Sequence, residues 1–223
     1  MLTIVFDLDG TLIDTAPDLI DALNHILAQH ELPGVAFETA RPSIGGGARA
    51  MIERALSAQG QECSSAAIDR LYADFIAYYA RHIADRSRPF PQLEAALECL
   101  AVEGHRLAVC TNKLEWLSIR LLRALKLVRY FTAICGQDTF GMQKPDPQML
   151  RRTILRAGGE PARAIMIGDS GIDVRTARAG NVPIIAVDFG YSDVPITTLR
   201  PDRIIGSYAE LPLAIRDLVA GRA

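Results

Sequence analysis

The amino-acid sequence predicts a doubly wound, Rossmann-like α/β fold with a parallel-sheet core, into which an α-helical cap domain is inserted. Three observations support this prediction. Short apolar runs that do not alternate with polar residues are typical of strands covered on both faces of a parallel sheet. From about residue 90 onward, such runs alternate with segments of helical period. Between the first run and the second lies a long stretch with a mainly helical pattern.

Composition agrees with this fold. The chain has 223 residues, 49% hydrophobic and 22% charged, which excludes a disordered, collagen-like or disulfide-rich protein. Its formal net charge is −2, so neither nucleic acid nor an anionic membrane is an expected partner. The sequence shows no signal peptide, no membrane-length apolar run and no C-x-x-C pair among its four cysteines. These features predict a reducing, cytoplasmic location.

The strands of the core are predicted from their apolar, β-branched residues. They cover residues 2–6, 107–111, 132–135, 164–167, 183–187 and, more weakly, 203–205. Stripes of apolar residues at helical spacing separate them, as in the run Leu114, Leu117, Leu121 and Leu125. This alternation indicates a sheet with helices on both faces.

The insertion after the first strand defines the predicted domain boundaries. The cap spans residues 15–88, and the α/β core comprises residues 1–14 and 89–223. Turn and breaker residues at 14–17 and 86–91 predict a hinge at each end of the cap. A helical lobe on two hinges is expected to act as a lid.

Three helices are predicted within the cap. Thr15 and Asp18 form a capping-box pattern at the start of the first helix. A second helix follows, and Ser64 or Ser65 caps the third. The third helix carries four aromatic residues, which we interpret as the core of the cap rather than a ligand cage: Tyr72, Phe75, Tyr78 and Tyr79.

The first predicted strand ends in two carboxylates. Asp7 and Asp9 precede Gly10 and Thr11, and their i, i+2 spacing puts both side chains on one side of an extended chain. In open α/β sheets, ligands bind beyond the carboxyl ends of the strands. An EF-hand loop does not fit, since no Asp or Asn stands at its fifth position. These carboxylates are therefore candidate functional groups.

Further polar residues follow later strands or open later helices. They are Thr111 with Asn112, Lys144, and Asp169 with Asp173. Each has a structural alternative: Thr111 as a helix cap, Lys144 as a solvated cation, and the two acids as helix N-terminal residues favoured by the dipole. The occurrence of all these fragments in order, each beside a predicted strand end, favours one shared site.

These fragments resemble the four motifs of the haloacid dehalogenase superfamily, in its phosphatase branch. The matching residues are Asp7-x-Asp9-Gly10-Thr11, Thr111, Lys144, and Gly168-Asp169-Ser170 through Asp173. The match in order and spacing covers nearly the whole chain. The helical insertion stands where this superfamily carries its first type of cap.

The resemblance implies a role for each motif residue. Asp7 would be the nucleophile that forms an aspartyl-phosphate, and Asp9 would protonate the departing alkoxide and then activate water. A Mg²⁺ ion would lie between Asp7 and the phosphate dianion. Its implied ligands are Asp7, the backbone carbonyl of Asp9, and Asp169, with Asp173 as a ligand or an outer partner. The groups implied to hold the phosphoryl oxygens are Thr111, the amide of Asn112, and Lys144.

Side-chain identities separate the branches of the superfamily. Asp9 disfavours the metal-independent dehalogenases, which lack this second aspartate. The chain has three lysines, Lys113, Lys126 and Lys144, and none lies in the predicted cap, which excludes the cap-lysine Schiff base of the phosphonatases. A phosphomutase on the same fold stays open. A non-catalytic phosphate-binding protein is disfavoured because none of the motif residues is missing.

Finer features resemble the bacterial phosphoglycolate phosphatases, and imply a small phosphate ester, 2-phosphoglycolate first, as substrate. They are the segments 43–47, 135–140 and 189–191. A departure is Gly141-Met142, where that family often has Pro-Gln. Sugar phosphates, nucleotides and pyrophosphate remain alternatives, since they share the core chemistry.

The cap offers candidate substrate residues. Gly45, Gly46 and Gly47 could present backbone amides to an anion or let the cap approach the core closely, with a flexible hinge or helix entry as the alternative. Arg49 could bind a substrate carboxylate. The alternative for Arg49 is a solvated position on a helix face.

Overall fold

The computed structural model describes residues 1–221. Its strands are β1 (Thr3–Phe6), β2 (Ile13–Asp14), β3 (Arg88–Pro89), β4 (Arg106–Cys110), β5 (Ala133–Cys135), β6 (Ala164–Gly168), β7 (Ile184–Val187) and β8 (Arg203–Ile205). Six of them form one parallel sheet in the order β5-β4-β1-β6-β7-β8. The six predicted strands are confirmed, and each observed end lies within one residue of its prediction.

Helices cover both faces of this sheet. The helices of the described chain are α1 (Ala16–Gln29), α2 (Phe37–Ala40), α3 (Ala48–Ala58), α4 (Ser65–Arg81), α5 (Leu93–Val102), α6 (Glu115–Ala124), α7 (Pro147–Arg156), α8 (Gly171–Ala179) and α9 (Leu211–Ala220). Helices α5 to α9 pack against the sheet, and α1 to α4 pack on one another in the inserted segment. Alternate residues of β1 enter different apolar clusters: Ile4 and Phe6 pack with residues of α5, α6 and α9. Val5 packs with residues of α7 and α8. The predicted doubly wound α/β class is therefore confirmed.

The inserted segment leaves and rejoins the core through neighbouring strands. β2 and β3 form a two-residue antiparallel ladder, in which Ile13 pairs with Pro89 and Asp14 with Arg88. This ladder lies at the two predicted hinges, and helices α1 to α4 lie between them. The two predicted hinge segments therefore run side by side. The domain boundaries at 14/15 and 88/89 stay predictions.

The predicted capping box at the start of α1 is wrong. Thr15 makes no side-chain cap hydrogen bond, because its hydroxyl donates to Asp9 Oδ1 at 2.7 Å. The Asp18 carboxylate instead accepts hydrogen bonds from the amides of Arg86 and Ser87 and from the Ser87 hydroxyl. Both side chains thus form tertiary contacts.

The other cap helices agree with the sequence pattern. Ser64 caps α4 by accepting a hydrogen bond from the Ala67 amide. On α4, Phe75 and Tyr79 are buried, while the Tyr78 ring stacks on His25 with ring centroids 3.8 Å apart. Among the described residues, none of the helices combines the length and apolarity needed to span a membrane.

Candidate active site

Three acids meet at the carboxyl edge of the sheet. Asp7 directly follows β1, Asp169 directly follows β6, and Asp173 lies in the first turn of α8. One carboxylate oxygen from each lies within 4.8 Å of the others, and all three side chains are buried. The sequence predicted this group because β1 and β6, although far apart along the chain, are neighbours in the sheet.

Lys144 lies at the centre of the acidic group. Its Nζ is 2.8 Å from Asp7 Oδ1 and 2.7 Å from Asp173 Oδ1, and only 2% of the residue is exposed. The alternative of a solvated cation is therefore wrong. The side chain of Asn112 holds this loop from both sides: its Oδ1 accepts from the Lys144 amide at 2.8 Å, and its Nδ2 donates to the Lys144 carbonyl at 3.2 Å.

Thr111 lies at the end of β4, next to β1. The residue is buried, its amide donates to the Cys135 carbonyl, and its hydroxyl accepts from the Lys113 amide at 3.2 Å. The structure therefore brings Thr111 to the same sheet edge as the acids. Its contact with a phosphoryl oxygen stays a prediction.

The buried carboxylates are poorly compensated within the protein. Burial raises the pKa of Asp7 to about 8, with Asp173 and Asp169 adding to the rise and Lys144 opposing it. Burial and the neighbouring Asp173 likewise raise the pKa of Asp169 to about 7, although its oxygens accept from Thr11 and the Tyr191 amide. Ionised carboxylates at these positions need more positive charge than Lys144 supplies.

A divalent cation fits this donor set. With Asp9, four buried acids face two buried lysines, Lys113 and Lys144, so an ion of charge +2 would balance the cluster. Carboxylate oxygens are hard ligands of the kind that Mg²⁺ and similar ions prefer. The side chain of Asp9 is bound elsewhere, so its predicted contribution to the metal is through its backbone carbonyl alone.

Asp9 contacts a residue that sequence analysis did not select. Both carboxylate oxygens of Asp9 lie against Lys113 Nζ, at 2.9 Å for Oδ1 and 3.0 Å for Oδ2. The ammonium also lies 4.6 Å from the centroid of the Tyr79 ring, and Lys113 is only 8% exposed. The only sequence signal for a role of Lys113 in this site is that it directly follows Asn112. That position alone would fit an exposed, solvated lysine equally well.

A narrow cavity separates the cap from the core beside this pair. Its volume is about 20 Å³, space for about one water molecule, so the cap is closed over the site. The cap contributes largely apolar side chains, and the core contributes four polar residues and two leucines: Asp9, Asn112, Lys113, Gln137, Leu114 and Leu117. The cap residues that line the cavity include Leu19, Ile44, Met51, Tyr72, Phe75 and Tyr79. Three of the four predicted cap aromatics thus also face the site, whereas Tyr78 does not line this cavity.

The glycine loop of the cap contacts the core directly. Gly47 has φ +85°, and a Cβ there would lie 3.1 Å from the Asn112 carbonyl oxygen. The Gly45 carbonyl accepts from Asn112 Nδ2 at 3.2 Å, whereas the Gly47 amide donates to the Ile44 carbonyl. Close approach of cap and core therefore explains why glycine stands at positions 45 and 47. Gly46 lies near Ala50 of the cap itself, so its predicted anion contact stays a prediction.

Arg49 is not brought into the cavity. Its guanidinium pairs with Asp69 on α4 and with Glu53 one turn along α3, and 45% of its side chain is exposed. Its carbon Cζ lies 5.7 Å from the Tyr72 ring centroid. The geometry favours the alternative of an arginine on the cap surface.

The comparison with known sequences decides the family. The profile of the family described as haloacid dehalogenase-like hydrolase matches residues 4–187, which include the three clustered acids and both buried lysines. The chain belongs to the haloacid dehalogenase-like hydrolases. The family resemblance read from the motifs is therefore confirmed.

Several hydrolases of this family are similar to the chain over nearly its full length. The phosphoglycolate phosphatase of Mesorhizobium japonicum is 47% identical over 214 residues, covering 96% of this chain and 94% of that protein. The phosphoglycolate phosphatase of Agrobacterium fabrum is 46% identical, with 95% and 91% covered. A crystal structure described as a predicted phosphoglycolate phosphatase from Haemophilus somnus superposes with a TM-score of 0.87 at 27% identity, covering 96% of this chain and 98% of that one.

Proposed function

We propose that this hydrolase is a Mg²⁺-dependent phosphatase that converts 2-phosphoglycolate and water to glycolate and phosphate. The observation that supports the chemistry most strongly is the buried group of Asp7, Asp169 and Asp173 around Lys144. The relatives named phosphoglycolate phosphatase support the substrate. The four cysteines, all within the described residues, form no disulfide, in keeping with a proposed cytoplasmic location.

The first step would transfer the phosphoryl group to Asp7. A carboxylate oxygen of Asp7 bonds to phosphorus while the bond from phosphorus to the alcohol oxygen breaks. Asp9 would enter this step protonated, having taken a proton from solvent as the substrate binds, and it gives this proton to that departing oxygen, so glycolate leaves with a hydroxyl group. Lys144, Thr111 and the Asn112 amide are placed at the sheet edge where they would hold the remaining phosphoryl oxygens.

The second step would release phosphate. Asp9, now ionised, takes a proton from water as the water oxygen bonds to phosphorus and the bond from phosphorus to Asp7 breaks. This returns Asp7 to its ionised form and Asp9 to its protonated form. A bound Mg²⁺, held by Asp7 and Asp169 with Asp173 as a ligand or an outer partner, would supply positive charge that reduces the repulsion between Asp7 and the phosphate dianion.

The proposal is tested by ranking substrates and removing the nucleophile. A panel of about twenty phosphorylated metabolites, compared by kcat/KM with Mg²⁺ present, is expected to place 2-phosphoglycolate first, because the narrow cleft between cap and core favours a small leaving group. Asp7→Asn and excess chelator are each expected to abolish turnover of 2-phosphoglycolate and of an aryl phosphate.

The control for the substitution is Asp217→Asn, an exposed position on α9, which should leave kcat/KM unchanged. Persistent activity in chelator would remove the metal from the proposal, and persistent activity of Asp7→Asn would remove the aspartyl-phosphate. A sugar phosphate or nucleotide ranked above 2-phosphoglycolate would replace the substrate.

A further inference from the structure

We propose that Lys113 and Tyr79 form a subsite for a carboxylate on the leaving group, and that this subsite selects 2-phosphoglycolate over phosphate esters of uncharged alcohols. This inference rests on the proposed function and adds how the substrate is recognised. It assigns roles to a lysine of the core and a tyrosine of the cap that face each other across the cleft.

The leaving group must lie on the side of the site where Asp9 is. The proposed phosphoryl position is beside Asp7 and Lys144, whereas Asp9 has to reach the ester oxygen as it departs. The rest of the leaving group then lies between the cap and Asp9, and because the closed cavity holds about one water molecule, the cap must move outward to admit it. Among the described residues that line this cavity, Lys113 is the one cationic side chain. Lys144 lies outside the cavity lining and is engaged with Asp7 and Asp173.

Lys113 is positioned for such a contact by its backbone. Its amide donates to the Thr111 hydroxyl at 3.2 Å, and its carbonyl accepts from the Gln137 amide at 3.2 Å. These bonds anchor the chain, so the side chain reaches Asp9 and the Tyr79 ring from a fixed origin. An ammonium buried under apolar cap residues is a strong partner for a desolvated carboxylate.

Tyr79 supplies an independent observation. Its hydroxyl is buried, and within residues 1–221 it has no hydrogen-bond partner. An unpartnered buried hydroxyl carries a desolvation cost that a bound acceptor would relieve. Burial and the nearby Asp9 raise the pKa of Tyr79 well above its usual value, so the hydroxyl keeps its proton and can donate it in a hydrogen bond.

The geometry of 2-phosphoglycolate matches this pair of neighbours. One methylene separates its ester oxygen from its carboxylate, so the groups that contact the two ends must themselves be adjacent. Asp9 and Lys113 are in direct contact. In this closed structure both oxygens of Asp9 are occupied, Oδ1 by Thr15 and Lys113 and Oδ2 by Lys113.

Substrate binding would therefore exchange partners. The carboxylate of the leaving group gives the Lys113 ammonium a new anion, and this frees an oxygen of Asp9 to contact the ester oxygen. A leaving group that ends in an alcohol offers no such anion, so Lys113 stays on Asp9. Recognition of the carboxylate and access of Asp9 to the ester are thus linked.

The test compares two esters of equal length, 2-phosphoglycolate and 2-hydroxyethyl phosphate, in the Mg²⁺-loaded enzyme. Lys113→Met is expected to lower kcat/KM for 2-phosphoglycolate by about 100-fold more than that for 2-hydroxyethyl phosphate, because any effect of the lost ion pair on Asp9 itself is common to the two esters. Tyr79→Phe is expected to lower only the first value, by about 10-fold. The matched control is Lys126→Met at an exposed position, with both values unchanged.

Tyr79→Phe keeps the test decisive if Lys113→Met does not fold. It removes a hydroxyl without a partner, so its thermal midpoint should not fall below that of the wild type. Equal losses on the two esters, or a preference for 2-phosphoglycolate retained in both variants, would overturn the subsite while leaving the proposed substrate intact. A wild-type enzyme that does not prefer 2-phosphoglycolate would overturn the proposed substrate, and the subsite with it.

Discussion

Replacing Asp18 should weaken the junction between cap and core more than is usual for an acidic residue in the first turn of a helix. Asp18 is 3% exposed, and its carboxylate accepts from the Arg86 amide at 2.9 and 3.1 Å. It also accepts from the Ser87 amide at 2.8 Å and from the Ser87 hydroxyl at 2.6 Å. One side chain near the start of the cap thereby holds the segment that leads out of it.

The loss of stability expected for Asp18→Ala can be worked out from the hydrogen-bond donors that would lose their acceptor. Ser87 is fully buried, so its amide has little access to water once the carboxylate is gone. A buried donor without an acceptor costs about 1–3 kcal/mol, and hydrogen bonds to a charged group contribute about 1.5–3 kcal/mol. With two amides affected, we expect the free energy of unfolding to fall by about 3 kcal/mol. For a chain of this length that corresponds to a decrease in Tm of about 6–12 °C.

The assay is thermal and denaturant unfolding in chelator, so that metal binding does not contribute. The matched control is Asp21→Ala on the same helix, because Asp21 is 57% exposed and pairs only with the Arg86 guanidinium among the ion pairs of the described residues. It should cost less than about 1 kcal/mol. Hydrogen exchange of the Ser87 amide should accelerate in Asp18→Ala alone. If the two variants unfold within about 0.5 kcal/mol of each other, the role given to Asp18 is wrong.

Two further predictions concern the acidic group. Lys144→Met leaves Asp7 and Asp173 without their ammonium, so turnover should be lost and the metal-free protein destabilised by about 3–5 kcal/mol; an unchanged unfolding midpoint in chelator would contradict this. Because the pKa values of Asp7 and Asp169 are raised, the folded metal-free protein binds protons that the unfolded chain has lost, and these groups make it less stable as pH rises from about 4 through 8. Mg²⁺ binds the ionised carboxylates, so the increase in Tm on adding Mg²⁺ should be larger at pH 8 than at pH 6, and an equal increase at both would contradict this assignment.

Features written in local sequence were predictable. Most strands of the sheet are largely apolar runs, and the end of such a run is marked by a change to polar residues, as where β1 is followed by Asp7. Because parallel strands present their carboxyl ends at one edge, the proximity of Asp7 and Asp169 followed from topology. The burial of Lys144 could not be predicted in this way, because it depends on two ion-pair partners, Asp7 and Asp173, that lie on different elements.

Features that depend on tertiary partners were missed. The pattern of Thr15 and Asp18 matches a local capping box. In the fold, however, the Thr15 hydroxyl bonds to Asp9 and the Asp18 carboxylate bonds to residues 86 and 87 instead. Lys113 is 104 residues from Asp9 in sequence, and they meet because β4 lies beside β1. The strands β2 and β3 are two residues long, too short to carry any periodicity.

The ladder between β2 and β3 has a consequence for how such proteins can be rebuilt. Because Asp14 and Arg88 face each other across two antiparallel strands, the ends of the insertion are as close as the ends of a hairpin. A short turn joining them, or a different helical segment starting and ending at the same two residues, would satisfy the chain path without altering the strands of the sheet. The inserted lobe is therefore exchangeable as far as the chain path is concerned. Transplanting the lobe of a relative should replace Tyr79, the cap side of the proposed subsite, while Lys113 and the acidic group of the core stay in place.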